Sequence, residues 1–277
     1  MNAEILFSYI CSKRSYLCIG LDSDEEKIPR CLKEFEHPVY EFNKRIIDAT
    51  IPYCVAYKPN LAFYECRGGA GLRDLELTIG YLRKHYPDIF LIADAKRGDI
   101  GNTSKMYART FFEYFNFDAV TVAPYMGEDS VKPFLEFKNK FIILLALTSN
   151  PSASDFQYYT SKENKPLFKE VIDKSKSWGD IDNLIYVVGA TKASMLKAIR
   201  KQIPAHFLLI PGIGAQGGDL NEVAKYGLNR RCGILVNASR SIIFAGKDEN
   251  FAARAAFEAK KLQQQMEIIL KDAKLIL

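Results

Sequence analysis

Eight short apolar runs, each followed by a stretch with helical spacing, constrain this chain more than any other feature. They fall at residues 16–20, 54–58, 89–94, 119–123, 141–147, 184–189, 207–210 and 233–237. Within them apolar and polar residues do not alternate, the pattern of parallel strands buried on both faces. Between them lie helical stripes. Phe42, Ile46 and Ile47 share one face, as do Leu72, Leu75, Ile79 and Leu82. Tyr107, Ala108, Phe111, Phe112 and Phe115 form a wide third stripe over Lys105, Arg109 and Glu113, and Met195, Leu196 and Ile199 mark a later one. A final helix is expected over residues 250–273, with Phe251, Ala255 and Leu262 packing back on the body. Eight strand–helix units without a Pro/Gly/Ser-rich linker predict a single closed (β/α)8 TIM barrel over residues 1–277, for which this length is usual. A doubly wound open sheet is the alternative, but it normally has fewer strands and its site lies at a switch point.

In such a barrel, chemistry gathers where the strands end. The third run leads into Asp94-Ala-Lys96-Arg-Gly-Asp99-Ile100-Gly-Asn-Thr103. Strand alternation would turn Asp94 and Lys96 to the same side, together with Ile92. Asp99 follows a Gly-containing turn. Taken alone, D-x-K-x-x-D reads first as a solvated strand exit. The other strand ends add Gly20-Leu-Asp22, Tyr57-Lys58-Pro-Asn60, Thr148-Ser149-Asn150, Pro211-Gly212-Ile-Gly214-Ala-Gln216-Gly217-Gly218 and Asn237-Ala-Ser239-Arg240. Two lysines, three aspartates, a hydroxyl, a Gly-rich loop and an arginine would then converge on one rim, which solvated strand exits do not explain.

Phosphate sites in these barrels commonly use the loops after strands seven and eight. Here those loops offer glycine amides, Gln216 and Arg240, which suit a phosphate dianion. Gly212, Gly214 and Gly217 also satisfy G-x-G-x-x-G. However, about 20 residues on stands Asn237, where a dinucleotide fingerprint needs an acid. Lys58, Asp94 and Lys96 would alternate in charge, which keeps both amines protonated. Such ammoniums are unsuited to Schiff-base chemistry but can stabilise a carbanion and then protonate it. Asp94 and Asp99 would crowd a substrate carboxylate and favour its departure.

The excluded classes follow from composition. Net charge is +5, from 38 basic and 33 acidic residues, with no basic block, so nucleic acid is not implied. No apolar run approaches the ~18 residues of a membrane span, and the N-terminus reads as a short amphipathic helix rather than a signal peptide. Six cysteines (11, 18, 31, 54, 66, 232) form no C-x-x-C pair, and Cys18, Cys54 and Cys232 lie in apolar runs, as in a reducing compartment. His37, His85 and His206 are not matched with carboxylates at ligand spacing, so no metal site is expected.

The motif D-x-K-x-x-D-I-x-x-T, as Asp94, Lys96, Asp99, Ile100 and Thr103, resembles the signature of the orotidine 5′-phosphate decarboxylase family. The resemblance runs in order from Gly20 to Arg240. Thr148-Ser149-Asn150-Pro151 and the Asp-Ala-Lys-Arg-Gly-Asp wording are similar to its longer-chain bacterial subgroup. It implies a cytoplasmic lyase that converts orotidine 5′-phosphate to UMP and CO2 without a cofactor, the last step of de novo pyrimidine biosynthesis. By resemblance, Asp22 and Lys58 would bind ribose hydroxyls, and Lys58 would also support the charge array. Asp94 and Lys96 would sit at the reacting carbon, with Lys96 donating the proton. Ser149 would read the pyrimidine edge beside Pro211, while Gln216 and Arg240 would hold the phosphate. Asp99, Ile100 and Thr103 would reach the neighbouring subunit's site, implying a homodimer with shared active sites. Two features depart from the family pattern: Ser239 stands where many members have Gly, and the loop after the seventh strand is short. Two alternatives remain at this point. One is a Mg2+-dependent sugar-phosphate lyase or synthase of the same superfamily, which would need a metal-binding acid where Lys58 stands. The other is a non-catalytic nucleotide-binding barrel.

Overall fold

In a computed structural model that describes residues 1–189, 193–212 and 219–277, the eight apolar runs form eight parallel strands. These are β1 (Leu17–Leu21), β2 (Ala56–Pro59), β3 (Phe90–Arg97), β4 (Ala119–Val122), β5 (Phe141–Leu147), β6 (Leu184–Val188), β7 (Leu208–Pro211) and β8 (Ile234–Ala238). They pair in chain order, and β8 returns to β1 with Leu17 opposite Val236, so the sheet closes into a barrel. Strands β1, β4, β6 and β8 are buried along their whole length, because side chains fill the barrel on one face and helices cover the other. A closed sheet leaves no edge to pair elsewhere.

The helices cover this sheet largely through the expected stripes. Phe42, Ile46 and Ile47 are buried on the helix Pro38–Thr50, whose Phe42 stacks on Phe251 at the start of the last helix, Phe251–Asp272 (centroids 5.2 Å apart). On that last helix Ala255, Ala259, Met266 and Leu270 are also buried, while Leu262 is only partly so. The N-terminal helix Ala3–Lys13 is capped by the Asn2 side chain and buries Ala3, Leu6 and Ile10. Cys18, Cys54 and Cys232 are buried, and all six cysteines are free thiols. No described helix is long and apolar enough to cross a membrane.

Two readings of the sequence away from the strand ends differ from the structure, and one contact lies beyond what spacing can show. Leu72 and Tyr107 stand out from their stripes and are exposed, because both line a surface cavity of about 560 Å³ rather than the core. After Gly101–Arg109 the third helical stripe widens into a π-turn, Thr110–Tyr114, which lets Phe111 and Phe112 both turn inward. His37 does meet a carboxylate. Its Nδ1 lies 3.3 Å from Asp74, a buried acid that Arg67 also pairs with, and long-range packing of this kind leaves no local spacing to read.

Candidate active site

The strand ends converge as the barrel requires. Lys58, near the end of β2, is buried, and its ammonium donates to Asp94 Oδ2 at 2.6 Å. The Lys96 ammonium donates to the other oxygen, Oδ1, at 2.5 Å. One carboxylate is thus held between two cations. The three line a cavity of about 370 Å³ together with Thr121, Thr148, Ser149, Asn150 and Pro211, a size that suits a small organic ligand.

Asp94 is mostly buried, which by itself would favour its protonated form. The Lys58 and Lys96 ammoniums outweigh that and hold its carboxyl down at about 2. Burial likewise opposes the charge on Lys58, but Asp94 and Asp22, with a smaller contribution from Cys18, reverse the effect and raise its pKa. Both partners are therefore charged at neutral pH. Asp94 has both oxygens occupied by ammoniums, which leaves it poorly suited to a metal cation. Among the described residues no group of three His, Cys, Asp or Glu side chains is placed to hold one.

The route by which Lys96 reaches Asp94 is not simple strand alternation. Its backbone is left-handed, with φ +46°, and the β3–β4 register shifts between Ala93 and Arg97. A non-glycine residue there costs about 1 kcal/mol or more, so something must hold it. Thr121 of β4 does so. Its hydroxyl accepts the Lys96 N–H at 2.8 Å and donates to Asp94 Oδ1 at 3.2 Å. On the other side Arg97 is fixed by Glu65, by the Ala95 carbonyl, and by the rings of Tyr107 and Phe111 beneath its guanidinium. Thr121 was not singled out from the sequence. Its signal was a lone hydroxyl in the otherwise apolar run Ala119-Val-Thr-Val.

The remaining candidates surround this cluster. Asp22 follows β1 and has a buried Oδ1 without a hydrogen-bond partner, an acceptor suited to a ligand hydroxyl. Ser149 and Pro211 line the cavity at the ends of β5 and β7. Arg240 is exposed and opens the short helical turn after β8. Ser239, just before it, fills the space beside Gly20: a Cβ on Gly20 would lie 1.8 Å from its hydroxyl oxygen. The Ser239 hydroxyl also accepts from Asn237 Nδ2 at 3.2 Å, so Ser239 is built into the turn that carries Arg240. Asp99, Ile100 and Thr103 do not line the cavity; Asp99 accepts the Ile100 N–H, and Ile100 and Thr103 are exposed. Gln216, with Gly214 and Gly217, lies outside the described residues.

A closed (β/α)8 barrel whose third strand delivers a carboxylate between two ammoniums, with an arginine following the eighth, defines a class of barrel enzymes for small anionic substrates. Within that class the chain belongs to the orotidine 5′-phosphate decarboxylase / HUMPS family, whose model it matches over residues 15–256. It is 58% identical over 270 residues to an orotidine 5′-phosphate decarboxylase of Phocaeicola vulgatus, covering 98% of this chain and 99% of the relative. It is 58% identical over 276 residues to that of Porphyromonas gingivalis, covering 100% of both. The structure of Leishmania donovani OMP decarboxylase superposes with a TM-score of 0.77 at 33% identity, covering 95% of this chain and 99% of that one.

Proposed function

We infer that this chain is a carboxy-lyase that converts orotidine 5′-phosphate to UMP and CO2, the last step of de novo pyrimidine biosynthesis. The observation that carries the reading is Asp94 bracketed by Lys58 and Lys96 on the floor of the rim cavity. The C–C bond to the substrate carboxylate breaks, CO2 leaves, and the electron pair stays on the pyrimidine ring carbon. The Lys96 ammonium stabilises that charge and then gives it a proton, forming UMP; solvent restores the proton to the amine. At ~4 Å and an effective dielectric of ~20, one such charge pair supplies about 4 kcal/mol, or roughly three decades of rate. Lys58 is already paired with Asp94, so its role is to fix that carboxylate and, with Asp22, to meet ribose hydroxyls. Ser149 reads the pyrimidine edge beside Pro211, and Gln216 and Arg240 take the phosphate. This chemistry draws on the array's own charges and asks for no cofactor.

The whole chain acts as one barrel domain, working as a cytoplasmic homodimer. Asp99, Ile100 and Thr103 complete the neighbouring subunit's site. This is supported by their absence from their own cavity and by the apolar side chains exposed around them, Ile100, Met106, Tyr107 and Met126. The magnesium-dependent sugar-phosphate alternative is disfavoured because Lys58 occupies the position of the metal-binding acid. The test is loss of orotidine 5′-phosphate absorbance with purified protein, with and without EDTA, beside Lys96→Ala. Metal-independent turnover that vanishes in the variant is expected. Turnover abolished by EDTA, or surviving in Lys96→Ala, would sink the mechanism.

A further inference from the structure

We propose that Gln157 is a positioning residue for base recognition, holding Thr148 and thereby the adjoining Ser149 in the conformation that meets the pyrimidine. The proposal deepens the reading of Ser149 above and rests on it. Strand β5 ends at Leu147, so the next residue's N–H has left the ladder and needs a new acceptor. Gln157 provides it. Its Oε1 accepts the Thr148 N–H at 2.8 Å, and its Nε2 donates to Thr148 Oγ1 at 2.7 Å. The amide orientation is fixed chemically, because a backbone N–H can only donate and must face the oxygen. The Thr148 hydroxyl in turn donates to Asn150 Oδ1 at 2.6 Å, spanning Ser149.

The support is anchored and the segment is pressed from its other side. The Gln157 N–H donates to the Ala153 carbonyl at 2.9 Å, and its carbonyl accepts from Phe168, a buried residue of the helix Leu167–Ser175, at 3.1 Å. Opposite stands Gly189. A Cβ there would lie 2.9 Å from Ser149 N and 3.0 Å from its Cα, so only glycine lets the segment settle. Thr148 lines both the active-site cavity and a second cavity of about 450 Å³ behind it, and Gln157 lines only the second. Gln157 therefore acts on the ligand through Thr148 and Ser149, not by touching it.

The test measures binding of UMP and of ribose 5-phosphate, which lacks the base, by calorimetry in Gln157→Met, a variant of similar volume without the amide. Leaving the Thr148 N–H unpaired should weaken UMP about tenfold. Ribose 5-phosphate should stay within about twofold, because the segment serves only the base. Adding Gln157→Met to Ser149→Ala should cost no more than about twofold beyond Ser149→Ala alone, since both then act on one contact. Gln157→Glu keeps an acceptor for the N–H, so it should recover most of the loss; should the methionine variant fold poorly, Gln157→Leu, which also lacks the acceptor, gives the same comparison. Equal weakening of both ligands, additive losses in the double variant, or a Gln157→Met protein with unaltered UMP affinity would each overturn the proposal. The parent reading fails separately, through an unsubstituted protein that neither binds UMP nor consumes orotidine 5′-phosphate.

Discussion

Asp94→Asn tests whether the charged cluster stabilises the barrel as well as equipping it. The substitution is nearly isosteric, but the amide must turn its NH2 toward one of two ammoniums that now sit at 2.5 and 2.6 Å from carboxylate oxygens. Lys58 is buried and would lose its nearest counter-ion, leaving Asp22 as the remaining anion acting on it. Removing one partner from a buried pair costs about 3–5 kcal/mol, and Asp22 favours the lower end. The depression of the Asp94 carboxyl from 3.8 to about 2 gives an independent figure of about 2 kcal/mol at neutral pH. The two routes agree to about 1 kcal/mol. At about 2–3 kcal/mol, in a chain of this size, that is a drop in Tm of roughly 3–5 °C. The sign of the pH dependence is fixed. A carboxyl with a depressed folded-state pKa stabilises fully above its ordinary value and loses that contribution as pH falls through the depressed one. The gap between variant and parent should thus be flat from pH 8 to about 5 and shrink only below about 4. Thermal unfolding by calorimetry without ligand, across that range, reads it. A variant as stable as its parent at pH 7 would show that desolvation cancels the pairing, and the structural half of the argument would be wrong.

Arg240→Ala should lower kcat/KM for the nucleotide by roughly two to three decades but leave the phosphate-free nucleoside nearly unchanged, because one charged contact to phosphate disappears; equal losses on both substrates would place Arg240 away from the phosphate. Lys96→Ala should lose at least about three decades of turnover while still binding UMP, which calorimetry and the absorbance assay separate. Lys96→Ala and Asp99→Ala homodimers should each be nearly inactive yet recover roughly a quarter of parental activity after mixing at equal amounts, since about half the dimers then carry one intact site. No recovery under conditions that demonstrably exchange subunits would return Asp99 to its own chain.

The barrel was legible because its signal is collective. Eight runs apolar on both faces have few other folds available, and each observed strand falls within three residues of its expected bounds. The convergence of Lys58, Asp94 and Lys96 was legible for the same reason, once every strand end was placed on one rim. The local geometry was not. Alternation placed Lys96 beside Asp94, whereas a left-handed residue and a register shift achieve it, with Thr121 on the neighbouring strand holding the turn. A cross-strand hydroxyl has no spacing in sequence. Gln157 is less visible still, since it lies in an irregular loop with no period. Leu72 and Tyr107 misled because helical periodicity identifies an apolar face without saying what covers it.

Closure of the sheet has a consequence in time. Cys18 on β1 and Asn237 on β8 meet across 219 positions of chain. At a ribosomal rate of about 5–20 residues per second, β8 emerges roughly 10–45 s after β1. Throughout that interval β1, whose residues Leu17-Cys-Ile-Gly-Leu are all buried in the finished barrel, presents one unpaired side. The nascent chain must therefore carry an adhesive edge through most of its synthesis, and a product that stops short of Ile234 keeps it permanently. Premature termination before the last strand should thus yield inclusion bodies rather than a soluble partial barrel.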